Sequence, residues 1–217
     1  MTAPLCELDH IVVAALSLEA GIGFIREKLG VDIPPGGRHD SMGTHNRLMR
    51  LGRGSFLEVI AVDPEAPRPD RPRWYDLDDP AMRARLRAGP RLVAWVIRTS
   101  DIAAAVKAAA IPLGTITRVS RGALSWRLTV QDDGHMPGGG TIPHVIQWDG
   151  ASRPWESMAD LGCSLASLTL ADPDGGWLND VLRSLGADSL PAVRMLEGGP
   201  PRLSAKIVTP SGRLAEI

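Results

Sequence analysis

Long apolar runs, cysteine and net charge are all scarce in this chain. No stretch approaches the roughly 20 consecutive apolar residues that cross a bilayer, so no membrane partner is expected. Cys6 and Cys163 are the only cysteines. Two thiols make neither a secreted disulfide framework nor a Cys-rich zinc site, although one bond between them stays open. Lys and Arg total 24 against 25 Asp and Glu, a formal net charge of -1, which leaves no electrostatic footprint for nucleic acid. Basic residues do gather between Arg68 and Arg91, but prolines and Asp70, Asp76, Asp78 and Asp79 interrupt them, as in a solvated connector. The N-terminal residues show no basic segment leading into an apolar run, so no signal peptide is read and a soluble, cytoplasmic protein is expected. No Gly-x-Ser-x-Gly elbow occurs, which removes support for serine-hydrolase chemistry. The run Gly138-Gly139-Gly140 lacks the Lys-Ser/Thr of a phosphate loop. Aromatic residues make up only 4% of the chain, yet six of the nine are tryptophan, so any clustering of tryptophans would be informative.

What the sequence does have is a repeated element order. Residues 8–13 read as a buried strand, and Ser17 is a helix N-cap. Leu18, Ile22, Ile25 and Leu29 follow at helical spacing, and Gly30 stops the helix. After the Pro34-Pro35-Gly36-Gly37 stretch, residues 45–51 and 55–62 alternate as two strands around Gly52-Arg53-Gly54, with one further short strand near Arg38. The order returns from residue 91: a strand at 91–98, a helix capped by Ser100 or Asp101, and strands at 113–119, 124–131 and 143–148. A third, shorter copy has a strand at 165–170, a helix with Trp177, Leu178, Val181, Leu182 and Leu185 inward, and strands near 192–196 and 202–208. The expected organisation is a first module over 1–62, a connector over 63–90 read as a surface helix that opens at Asp79-Pro80 with Met82 and Leu86 inward and bridges two modules, a second module over 91–150 and a partial β-α-β-β module over 151–217. Each unit has one apolar sheet face that another must cover.

Two strands carry an ionisable side chain among apolar neighbours: His10 in Leu8-Asp9-His10-Ile11-Val12-Val13 and Glu58 in Phe56-Leu57-Glu58-Val59-Ile60. Such groups are costly inside a sheet unless something satisfies them. These residues, with Met42-Gly43-Thr44-His45-Asn46, Leu51-Gly52 and the segment from Pro143 to Gln147-Trp148, resemble the glyoxalase-like branch of the vicinal oxygen chelate (glyoxalase/bleomycin resistance/dioxygenase) superfamily over about residues 5–150. The resemblance implies an α+β fold in which tandem βαβββ modules form a curved, half-barrel mixed sheet with helices on the convex face. It also implies a divalent metal (zinc, iron, nickel or manganese) held from the first and last strands of each module. Carried over, the first module supplies His10 and Glu58 as metal ligands. A gapless alignment of the modules puts Ala94 and Gln147 at the matching second-module positions, and neither is a strong ligand.

Strand parity narrows the pocket further. His10 shares a face with Leu8 and Val12, opposite Asp9, Ile11 and Val13, and Glu58 shares one with Phe56 and Ile60. A two-residue turn at Arg53-Gly54 would turn His45 and Arg47 inward, making His45 a candidate third ligand. A three-residue turn at Gly52–Gly54 would turn Asn46 inward instead, because a slip of one residue swaps the whole set. Gln147 shares a face with Val145 and is read as orienting a ligand, with His144 on the other face. His39 and His135 are read as solvated loop histidines, and Trp126, Trp148 and Trp177 as core.

Two functions follow as expectations. In the first, Glu58 serves as metal ligand or as catalytic base in isomerase, lyase or dioxygenase chemistry on a small oxygenated substrate. In the second, the pocket is metal-free and sequesters a small molecule, oriented by Glu58, His45, Asn46 and Gln147. A monomer or loose homodimer is expected, because the third copy can occupy the place of a partner subunit.

Overall fold

The computed structural model describes residues 6–150 and 154–217. Strand β1 (Glu7–Ala14), helix α1 (Leu18–Leu29) and strands β2 (Arg38–His39), β3 (Thr44–Arg50) and β4 (Phe56–Val62) build the first module. The connector holds α2 (Pro80–Arg87). Strand β5 (Arg91–Arg98), α3 (Ile102–Ala108), β6 (Thr115–Arg121), β7 (Leu124–Val130) and β8 (His144–Trp148) build the second module. The local signals explain these elements. Ser17 accepts a hydrogen bond from the Ala20 amide, Asp79 from Met82 and Asp101 from Ala104, and Gly30 takes the left-handed conformation that closes α1.

One eight-stranded mixed sheet runs β2-β3-β4-β1-β5-β8-β7-β6. The first half reads outward from β1 as the second reads outward from β5, so the modules are related by a pseudo-twofold between those strands. In each module the last strand lies parallel to the first, β4 on β1 and β8 on β5. The sheet curls until β2 approaches β6, which gives a nearly closed, barrel-like cross-section. Its convex face packs against α1 and α3 through Ile11, Val13, Leu57, Val59, Trp95 and Ile97.

The last part of the chain comprises α4 (Pro154–Ser157), β9 (Ser164–Asp172), α5 (Gly175–Ser184), β10 (Ala192–Met195), β11 (Arg202–Val208) and β12 (Leu214–Glu216). Its strands pair in the order β10-β9-β11-β12. The sequential order matches the other modules, but the pairing does not: α5 leads directly to β10, parallel beside β9. Leu168, Leu170, Ala205 and Ile207 from this sheet join the convex-side core. Cys6 and Cys163 are both buried and unbonded to each other.

The connector differs from its sequence reading as a surface bridge. Trp74, Tyr75, Leu77, Met82 and Leu86 are buried in the concave-side core with Val12, Ile60, Val96 and Trp126. Met82 and Leu86 lie inward as their helical spacing requires, whereas Trp74, Tyr75 and Leu77, spaced through a Pro-rich loop, carry no periodic signal.

Close packing of α1 on the sheet predicts opposite responses at two glycines of one helix. A Cβ at buried Gly21 would meet Val59 Cγ1 at 2.4 Å, whereas exposed Gly23 has nothing within 4 Å. Gly21→Ala should destabilise by about 1–3 kcal/mol through overpacking. Gly23→Ala should stabilise by about 0.5–1 kcal/mol through helix propensity. Urea unfolding midpoints of the two variants check both signs.

Candidate functional site

The pocket occupies the concave side of the sheet and opens to solvent at its mouth. Its polar residues are His10, His39, Asn46, Glu58 and Arg121, and Phe56, Trp74, Tyr75, Trp126 and Trp148 supply its aromatic walls.

The hairpin register decides which of the two open alternatives holds. Leu48 lies opposite Glu58 and Asn46 opposite Ile60, the result of the three-residue turn. Asn46 therefore points inward, and its Nδ2 donates to Glu58 Oε1 at 2.6 Å. His45 falls on the opposite, convex face, so the expectation that it joins the pocket or ligates a metal is corrected. Gln147 is corrected as well. It shares a face with Val145, as parity requires, but that face carries α3: Gln147 Oε1 accepts from the Ile102 amide at 2.9 Å. Parity alone does not say which of two faces a helix covers.

His10 and Glu58 do come together, with Nε2 of the ring 3.6 Å from Glu58 Oε2. His10 also stacks on Phe56, its direct neighbour across β1 and β4, with ring centroids 4.4 Å apart. Its Nδ1 lies 2.6 Å from Asp9 Oδ1. A regular strand would aim Asp9 at the convex face. A β-bulge between Leu8 and His10 in the pairing of β1 with β5 re-aims it instead, as such extra residues do. Asp9 Oδ2 then accepts from the Trp148 indole at 2.9 Å. With Nδ1 donating to the Asp9 carboxylate, Nε2 is the nitrogen left facing Glu58.

Sequence reading missed several lining residues. His39 is buried on β2 rather than solvated; its Nδ1 lies 3.1 Å from Thr44 Oγ1, and Trp74 and Trp126 meet it edge-on. Burial pushes its pKa down to about 4, against the opposing pull of Glu58. His144 is also buried, facing Tyr75 edge-on, and burial pushes its pKa down to about 4 despite a bond to the Thr129 carbonyl. Burial raises the Tyr75 phenol well above its usual pKa, as do Glu58 and Asp9. Tyr75 and Asp76 both adopt left-handed backbone, at φ 58° and 57°, an uncommon choice for residues other than glycine. Trp126 and Trp148 line the pocket, and Trp177 lies half-exposed on α5. His135 stays an exposed loop residue, paired with Asp76.

On the concave face of the second module, β5 presents Ala94 and Val96 and β8 presents Ile146, none of them with a donor atom. Gln147, which gapless alignment matches to Glu58, faces α3 instead. Among the described residues, no group of three or more His, Cys, Asp or Glu side chains is placed to hold a metal ion. The donor set does not fit a four-ligand metal site shared between modules; His10 and Glu58 form half of one.

The glyoxalase-like domain family model matches residues 8–186. Among solved structures, a hypothetical protein from Staphylococcus aureus superposes with a TM-score of 0.59 at 13% identity, covering 98% of this chain and 85% of that one. Methylmalonyl-CoA epimerase from Mycobacterium tuberculosis gives a TM-score of 0.45 at 18% identity, over 70% of this chain and 93% of that one. A Streptomyces coelicolor methylmalonyl-CoA epimerase variant in complex with 2-nitronate-propionyl-CoA gives 0.42 at 17% identity, over 70% and 100%. No curated protein matches.

Burial of two neutral imidazoles predicts an acid-sensitive fold. An unfolded-chain histidine takes up its proton near pH 6.5, whereas His39 and His144 hold out to about 4. Between those values the unfolded state binds more protons, so their contribution, complete above about pH 6.5, is lost as pH falls towards 4. Urea midpoints across this range should fall less steeply in His144→Leu than in the wild type. An identical slope in the two would contradict a neutral buried His144.

Proposed function

The chain belongs to the glyoxalase-like domain family, and on that premise we propose that its concave pocket binds a small oxygenated molecule and that Glu58 moves a proton on it. One observation carries this reading. Glu58 is a buried carboxylate with one oxygen held by Asn46 and the other left beside His10 Nε2 in an aromatic-walled pocket. A carboxylate so placed acts as a general base on a carbon acid, such as the carbon next to a carbonyl, where proton transfer by a positioned group is worth roughly 10²–10⁴-fold. Asn46 fixes the orientation of the base. His10, steadied by Asp9, can hold the proton in relay. Isomerisation and lyase chemistry both begin with such a step.

A second reading has its own support. An imidazole whose far nitrogen is bonded to a carboxylate and whose near nitrogen faces a second carboxylate is a common arrangement around a metal. With only Ala94, Val96 and Ile146 on the matching face of the second module, the remaining positions would fall to water or substrate. Simple sequestration without chemistry is the third outcome.

Proton exchange separates the three. The protein would be incubated in D₂O with a panel of small 2-oxo acids and hydroxy ketones, and loss of C–H signal followed by NMR. Wild type should catalyse exchange in at least one panel member, and Glu58→Gln should lose it by roughly 10²-fold or more. Exchange equal in Glu58→Gln, or none in any panel member, contradicts the proposal. Elemental analysis runs alongside: a near-stoichiometric metal lost in both His10→Ala and Glu58→Ala favours the second reading.

A further inference from the structure

We infer that Arg121 is the anion anchor of this pocket and that the molecule bound there carries a carboxylate or an equivalent oxyanion on an apolar body. The inference rests on the binding role proposed above and adds the ligand's chemical class.

Arg121 ends β6, the edge strand farthest from the first module in the sheet order. Curling of the sheet brings it across the seam, where its Nη1 donates to Asn46 Oδ1 at 2.9 Å. An arginine presents five N–H donors in a rigid fork. Among the described residues, Asn46 is the one hydrogen-bond partner of Arg121, and no carboxylate forms an ion pair with it within 4.0 Å. Burial lowers its pKa, and the field of Glu58 offsets only part of that. This half-buried guanidinium lines the pocket with donors to spare and no direct counter-ion, so it offers positive charge and open N–H groups to an anion. Trp74 adds a second spare donor: its indole N–H is buried without a hydrogen-bond partner.

The backbone is cut to admit this side chain. A Cβ at Gly37 would lie 2.4 Å from Arg121 Cδ and 3.0 Å from its Nε. Gly37 has no positive φ, so space alone, and not backbone conformation, calls for glycine there. Asn46 joins the two ends of the site, accepting from Arg121 and from the Gly37 amide while donating to Glu58. A ligand anchored on Arg121 therefore lies beside the proposed base. Phe56, Trp74, Trp126 and Leu128 line the remaining space and suit an apolar body.

Matched acids and amides test the assignment. The indole N–H signals of Trp74, Trp126 and Trp148 would be followed by ¹H–¹⁵N NMR during titration with phenylacetate against phenylacetamide, and isovalerate against isovaleramide. In the wild type the acids should bind at least roughly tenfold more tightly than the amides, as loss of one charge-assisted contact implies. Arg121→Gln should abolish that preference while leaving amide binding in place. Gly37→Ala, which displaces the arginine without altering it, should do the same, and Arg121→Lys should retain part of it. Equal binding of acid and amide, or a preference that survives Arg121→Gln, overturns the anchor and leaves the pocket's binding role standing. Failure of all four probes to move the indoles overturns both.

Discussion

Asp9 is a carboxylate with no solvent exposure at the centre of an eight-stranded sheet, and much of the site follows from satisfying it. An unpaired buried charge of this kind would cost several kcal/mol. Its partners come from three strands: the His10 ring on β1, the Trp148 indole on β8, and the Arg98 guanidinium on β5 at 4.0 Å. Arg98 also bonds the Leu8 carbonyl at 2.6 Å, gripping the strand just before the bulge. The same residue thus ties the two modules together and fixes the His10 ring. From there a line of polar contacts runs through Glu58 and Asn46 to Arg121, from the middle of the sheet to its seam.

Much of this fold could be read from the chain because its determinants are local. Ser17, Asp79, Asp101 and Asp174 each cap the helix that follows them. Alternation grouped Glu58 with Phe56 and Ile60 and His10 with Val12, and the helix packed on the opposite face turns both groups into the concavity. Legibility ended where geometry turned on a single residue. The choice between His45 and Asn46 hung on the length of one turn, and the sequence Gly52-Arg53-Gly54 permits either length. The position of Asp9 depends on a bulge, which no pattern of side chains announces. Trp74, Tyr75 and Arg121 reach the pocket through contacts distant in sequence. The nearest signals were the excess of tryptophan over other aromatics and the bare Gly36-Gly37 backbone, and both acquire meaning only beside their partners.

The two modules share topology but divide their labour. The first contributes His10, His39, Asn46 and Glu58 to the pocket along with Leu48 and Phe56, and the second contributes Arg121, Trp126, Leu128, Ile146 and Trp148. The acid–base groups thus stand on one side and the arginine on the other, with apolar walls on both. The connector closes the space between them with Trp74 and Tyr75, holding two consecutive residues in left-handed backbone. Strain of that kind persists where surrounding packing over-determines it, and Tyr75 is packed against both Trp74 and His144.

The two modules carry different chemistry on the same concave face: His10 and Glu58 on β1 and β4 of the first, and Ala94, Val96 and Ile146 on β5 and β8 of the second. A doubled module offers two copies of every inward position, so one copy can carry polar chemistry while the other supplies only shape. The symmetry of this sheet therefore lies in its backbone and is absent from its inward side chains.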